Sequence, residues 1–120
     1  MMAQILLAED DDQMRAFLAR GLTRAGYIVD AFPNGETALK QARQSDYDLL
    51  LADVVMPGMD GIELARRVTT QQPGIRVMFI TGFAAVALQE DHFLHSGPKV
   101  LAKPFHLRHL IDEVEHLLTE

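Results

Sequence analysis

Four carboxylates stand in one run, Glu9-Asp10-Asp11-Asp12, and a fifth, Asp53, closes the apolar run Leu49–Ala52. A charged group is costly to desolvate without a partner, so Asp53 needs either solvent or a cation. Two more polar groups follow apolar runs in the same way. Thr81 comes after Val77–Ile80, and Lys103, followed by Pro104, comes after Val100–Ala102. Carboxylates ~4–6 Å apart repel by roughly a kcal/mol or more. A hard divalent cation relieves that repulsion, and an oxygen-only donor set points to Mg²⁺. One aspartate, one magnesium, one lysine and one hydroxyl are the parts needed to accept a phosphoryl group. The carboxylate attacks in line, while the cations offset charge on the transferring oxygens.

Those groups work together only if the fold brings them to one edge. The runs Ile5–Ala8, Tyr27–Ala31, Leu49–Ala52 and Val77–Ile80, with a weaker Val100–Ala102, are apolar rather than alternating, with Asp30 the one charged residue among them. That pattern predicts strands of a parallel sheet buried on both faces. Helical spacing lies between them: Met14, Phe17, Leu18, Leu22 and Ala25, and later Leu107, Leu110, Ile111, Val114, Leu117 and Leu118. Gly26 ends the first helix, Asn34-Gly35 marks the turn into the second, and Asp60-x-x-Glu63 opens the third, which Pro73-Gly74 stops. A fourth, short helix is expected around Ala84–Leu88, and the last begins near His106. Five strand–helix repeats with right-handed crossovers give an α/β, flavodoxin-like (βα)5 fold. It is a doubly wound, five-stranded parallel sheet with expected order 2-1-3-4-5. Ligands of such sheets bind beyond the carboxyl ends of the strands. Glu9-Asp10, Asp53, Thr81 and Lys103 all belong there.

The 120 residues make one expected domain, 1–120. No apolar run approaches the ~20 residues of a membrane span. The start, MMAQILLAEDDD, turns acidic without a basic flank and does not read as a signal peptide. With no cysteine, disulfides and thiolate metal sites are excluded, and a cytoplasmic location is the default. The net charge of −6 argues against general nucleic-acid binding.

Blander roles compete for each residue. Asp11 and Asp12 suit a cap at the positive end of the first helix. Thr81 could satisfy a strand end, and Lys103 could be an ordinary exposed lysine. His92-x-x-His95 and His106-x-x-His109 have spacings that one helical face could use, but they lack a third ligand or an HExxH pattern, so core or surface roles are expected. The Ala84–Leu88 patch reads as core packing.

Asp10, Asp53, Thr81 and Lys103-Pro104, with DVVMPGMDG and KPF, resemble the receiver domain of bacterial two-component response regulators, over essentially the whole chain. The resemblance implies that Asp53 is the phosphoacceptor, with Thr81 on a phosphoryl oxygen and Lys103 paired with it. It implies Mg²⁺ ligands at Glu9, Asp10 (more directly), Asp53 and the backbone carbonyl of Val55, and a cis Lys103-Pro104 bond. The phosphodonor would be a histidine kinase or histidine phosphotransferase. The domain would be a signalling module, catalysing only its own phosphorylation and dephosphorylation. An aspartate-dependent phosphatase needs a second Asp two residues after the nucleophile, where this chain has Val55.

Within that family, ILLAEDDDQMR, DVVMPGMDGIELARR, VMFITGFAAVAL and VLAKPFHLR look like a single-domain alphaproteobacterial type. In that type the unphosphorylated form assists the ClpXP protease and phosphorylation turns it off. The chain ends with its last helix at Glu120, so the expected output is a protein contact by a monomer. The expected surface is the fourth helix, fifth strand and fifth helix, with ClpX as partner. The alternatives are the C-terminal receiver of a hybrid histidine kinase and a chemotaxis-type or phosphate-sink regulator. Three positions depart from the family pattern. Val100 stands where the fifth strand usually has an aromatic, and Phe83 is a candidate substitute. Val55 and Phe83 stand where fast-hydrolysing receivers carry polar groups. Apolar side chains there cannot orient an attacking water, so a persistent phosphoryl-aspartate is expected.

Overall fold

A computed structural model describes residues 2–82 and 98–119. Five parallel strands form one sheet in the order β2-β1-β3-β4-β5: β1 (Gln4–Ala8), β2 (Ile28–Phe32), β3 (Leu49–Asp53), β4 (Arg76–Thr81) and β5 (Lys99–Ala102). The described helices are α1 (Asp12–Arg24), α2 (Gly35–Ala42), α3 (Gly61–Gln71) and the C-terminal α4 (Leu107–Thr119). The order and the doubly wound arrangement are those expected. The helix expected around Ala84–Leu88, together with Phe83, His92 and His95, lies outside the described residues.

The sheet separates two apolar layers, because successive side chains of a strand point to opposite faces. Leu6, Ala8, Leu50, Ala52, Val77 and Phe79 pack with α2 and α3 on one side. Ile5, Leu7, Leu49, Leu51, Met78 and Ile80 pack with α1 and α4 on the other. The central strand β3 is buried along its whole length. The expectation of strands buried on both faces fails at the edges. In β2, Ile28 and Ala31 are exposed, and in β5, Lys99 and Ala102 are, because each edge strand has a neighbour on one side only.

Local chemistry sets the boundaries. Asp11, Asn34 and Asp60 cap α1, α2 and α3 by accepting from the backbone N–H of Met14, Thr37 and Glu63, each at 2.8 Å. Gly26, at φ +105°, ends α1. Its N–H reaches the carbonyl of Thr23, and that of Tyr27 reaches Leu22, the paired bonds of a Schellman turn. Tyr27 is thereby tied to the helix, and β2 begins at Ile28 rather than at Tyr27 as expected.

Candidate functional site

The strand register assembles the site. Ala8 lies beside Ala52, so Glu9 follows at the level of Asp53. Asp53 pairs with Ile80, which places Thr81 one step beyond. Thr81 pairs with Ala102, so Lys103 comes next. Four chain positions separated by up to 94 residues therefore meet at the carboxyl edge of the sheet.

Lys103 Nζ lies 2.8 Å from Asp53 Oδ2 and 3.3 Å from Glu9 Oε1. Glu9, Asp10 and Asp53 each offer an oxygen within 4.8 Å of the others, the one such acidic group among the described residues. His106 and His109 belong to no comparable group there. Glu9, Asp53 and Thr81 are buried, whereas Asp10 is exposed. Burial pushes the Glu9 carboxyl up to about 7. The N–H of Asp11 and the Lys103 ammonium oppose that rise, and the neighbouring Asp53 adds to it. Burial also works against charge on Lys103, but its bonds to Asp53 and Glu9 prevail and hold its pKa above the usual lysine value. Lys103 is therefore a stable cation facing two buried acids.

Backbone contacts fix the rest. The N–H of Val55 donates to Asp53 Oδ1 at 3.1 Å, and that of Lys103 donates to the Thr81 carbonyl at 2.9 Å. The Val55 side chain is 53% exposed beside the site. The Lys103-Pro104 peptide is cis, as the resemblance implied. Gly61 is demanded by close approach: a Cβ there would stand 2.1 Å from the carbonyl oxygen of Asp53.

Two residues with no role in the sequence reading also shape the edge. Arg15 donates to the Glu9 carbonyl at 3.0 Å and pairs with Asp12 at 2.7 Å, bracing the acidic turn. Glu36, in the first turn of α2, accepts from the N–H of Met59 at 3.2 Å and fastens the β3–α3 turn. The Asp12-to-Arg15 spacing was a signal that could have found the first. No local pattern links Glu36 to a turn more than twenty residues away.

The oxygen donors Glu9, Asp10 and Asp53 suit a hard divalent cation. Crowding acids beside one lysine leaves an excess of negative charge that such an ion would balance. Chemically, the edge offers a carboxylate held between a fixed ammonium and a cation-binding set.

Comparison with known proteins agrees with this arrangement. The family model for the response regulator receiver domain matches residues 5–115. The chain is 55% identical to the response regulator receiver protein CpdR of Brucella abortus, over 98% of both chains. Several other curated relatives are longer, and this chain spans about half of their length. Among solved structures, the receiver domain of the hybrid histidine kinase CckA shares 34% identity, with a TM-score of 0.81 covering 96% of this chain and 98% of that one. The Thermotoga maritima response regulator TrrA, solved with Mg²⁺ and BeF, shares 29% identity, with a TM-score of 0.87 covering 98% of this chain and 100% of that one.

Proposed function

This chain belongs to the response regulator receiver domain family, and we propose that it receives a phosphoryl group on Asp53 and signals through contacts that depend on its phosphorylation. The observation that carries the proposal is the Lys103 ammonium 2.8 Å from the Asp53 carboxylate, at an edge where Glu9 and Asp10 converge. An Asp53 carboxylate oxygen attacks phosphorus in line. The bond to phosphorus forms as the bond to the departing imidazole nitrogen of a histidine kinase or phosphotransferase breaks. Lys103, held protonated, pairs with a phosphoryl oxygen, and Thr81 hydrogen-bonds another. Glu9, Asp10, Asp53 and the Val55 carbonyl would hold Mg²⁺, which supplies charge compensation to the transferring oxygens. The exposed apolar side chain of Val55 offers no group to orient a hydrolytic water, so the phosphoryl-aspartate persists.

The site's chemistry is self-phosphorylation and dephosphorylation, within a single receiver domain acting in the cytoplasm. Likeness to CpdR over 98% of both chains supports the finer role of a ClpXP adaptor, active when unphosphorylated. The output surface in this reading is formed by β5 and the C-terminal helix α4, together with the segment around Ala84–Leu88, which lies outside the described residues. Pull-down with wild-type protein and Asp53→Ala, with and without phosphodonor, tests this role. ClpX should be recovered with unphosphorylated wild type and with Asp53→Ala, and lost from wild type on phosphorylation. Recovery in neither state would overturn the adaptor role.

A further inference from the structure

On the face opposite α2 and α3, a groove of about 530 Å³ runs between α1 and α4. Phe17, Leu107 and Ile111 provide its apolar lining, and Arg20, Arg24 and Arg108 its charge. α1 and α4 meet closely at Gly21, where an added Cβ would stand 2.6 Å from Leu107 Cδ2. Phe17 is 46% exposed, unusual for a large apolar side chain on a helix that buries Leu18 and Leu22.

The arginines are the unusual feature. Arg15, Arg66, Arg67, Lys99 and Lys103 all pair with acids. Arg20, Arg24 and Arg108, like Lys40 and Arg43, form no ion pair or side-chain hydrogen bond among the described residues, but these three border one hollow. Arg20 and Arg24 stand four apart on α1, a spacing at which like charges repel. Arg108, on α4, borders the same hollow. Three unpaired cations around one concavity, on a chain of net charge −6, form a local field of sign opposite to that of the whole molecule.

We propose that this groove binds a nucleotide carrying two or more phosphate groups. Guanidinium forks match phosphate oxygens two at a time. The groove volume lies within the ~300–1,000 Å³ typical of small-molecule sites, which combine apolar lining with a few charged groups. Leu107 and Ile111 give an apolar bed for a base, and the exposed ring of Phe17 gives a stacking surface. A compact polyanion matches three cations gathered on one hollow better than an acidic peptide, whose charges are spread along its length.

Calorimetric titration of the full chain in EDTA, which silences the metal site, tests the proposal. The probes are ATP, GTP, cyclic diguanylate, orthophosphate and a polyglutamate peptide. At least one nucleotide should bind saturably with one-to-one stoichiometry. Arg20→Gln, Arg24→Gln or Arg108→Gln should each weaken it roughly tenfold, the loss of one charge-assisted contact. Phe17→Ala should weaken nucleotides while leaving any orthophosphate binding unchanged. Asp53→Ala should bind as wild type does, and the arginine variants should still be phosphorylated at Asp53. These readouts separate the groove from the phosphoacceptor site. Failure of every nucleotide to bind, undiminished binding by the arginine variants, or equal or tighter binding of orthophosphate or polyglutamate would each overturn the proposal.

Discussion

Lys103 is the counter-ion to two buried acids, Asp53 and Glu9. Replacing it with Ala leaves both carboxylates buried without their cation, at a cost of roughly 1–3 kcal/mol. Urea unfolding in EDTA should show that loss for Lys103→Ala, and Mg²⁺ should restore part of it. An unchanged midpoint would mean that the ion pairs contribute nothing. Val55 makes a kinetic prediction. Purified phosphoprotein with Mg²⁺ should keep its phosphoryl group for minutes or longer, and Val55→Asn, which adds a water-orienting amide, should shorten that lifetime. Decay of the wild type within seconds would contradict it. Lys103 was legible in the sequence because it stands where an apolar run stops at a polar group, whereas Val55 was marked only by the family resemblance. Arg15 was signalled only by its spacing from Asp12, and Glu36 not at all, because what it fastens is the backbone N–H of Met59, which leaves no residue type to read.

At the scale of elements, α3 is pressed against the end of β3 at Gly61. Gly61→Ala inserts a methyl 2.1 Å from the Asp53 carbonyl oxygen and must move either the helix or the acceptor loop. Overpacking of this kind costs typically ~1–3 kcal/mol. The variant should melt at a lower temperature and be phosphorylated more slowly, and wild-type values for both would show that the close approach is unimportant. At the opposite edge of the sheet, Tyr47 ties the start of β3 to β2, its hydroxyl donating to Asp30 at 2.5 Å. Its N–H donates to Gln72 at 2.9 Å, and Gln72 in turn donates to the carbonyls of Ala42 and Ser45. Burial, and then the bond to Asp30, push the Tyr47 phenol from 10.0 up to about 12. The folded state thus keeps a proton that the unfolded chain releases. This stabilisation is complete below pH 10 and is lost as pH rises toward 12. Denaturation followed across that window should show a steeper decline for wild type than for Tyr47→Phe, and parallel curves would refute the coupling. Element order and type were readable from the apolar runs. The first residue of β2 was not, because Tyr27 is apolar like a strand residue while its N–H belongs to the turn that ends α1.

At the scale of the molecule, a parallel sheet turns four distant positions into one reactive edge, and its register decides which side chains meet. The sequence carried that information because buried strands read as apolar runs and their ends as the first polar group. Edge exposure was not readable at Ile28 or Ala31, which are ordinary strand residues in type, although Asp30 between them is charged. The unpaired arginines of the α1–α4 groove were equally silent, because partnership depends on neighbours brought together only by folding. The central claim is that Asp53 is the phosphoacceptor of this edge, and intact-mass spectrometry after treatment with a small-molecule phosphodonor and Mg²⁺ tests it most directly. Wild type should gain one phosphoryl group, and Asp53→Ala should gain none. Equal labelling of Asp53→Ala, or no labelling of wild type, would contradict the account.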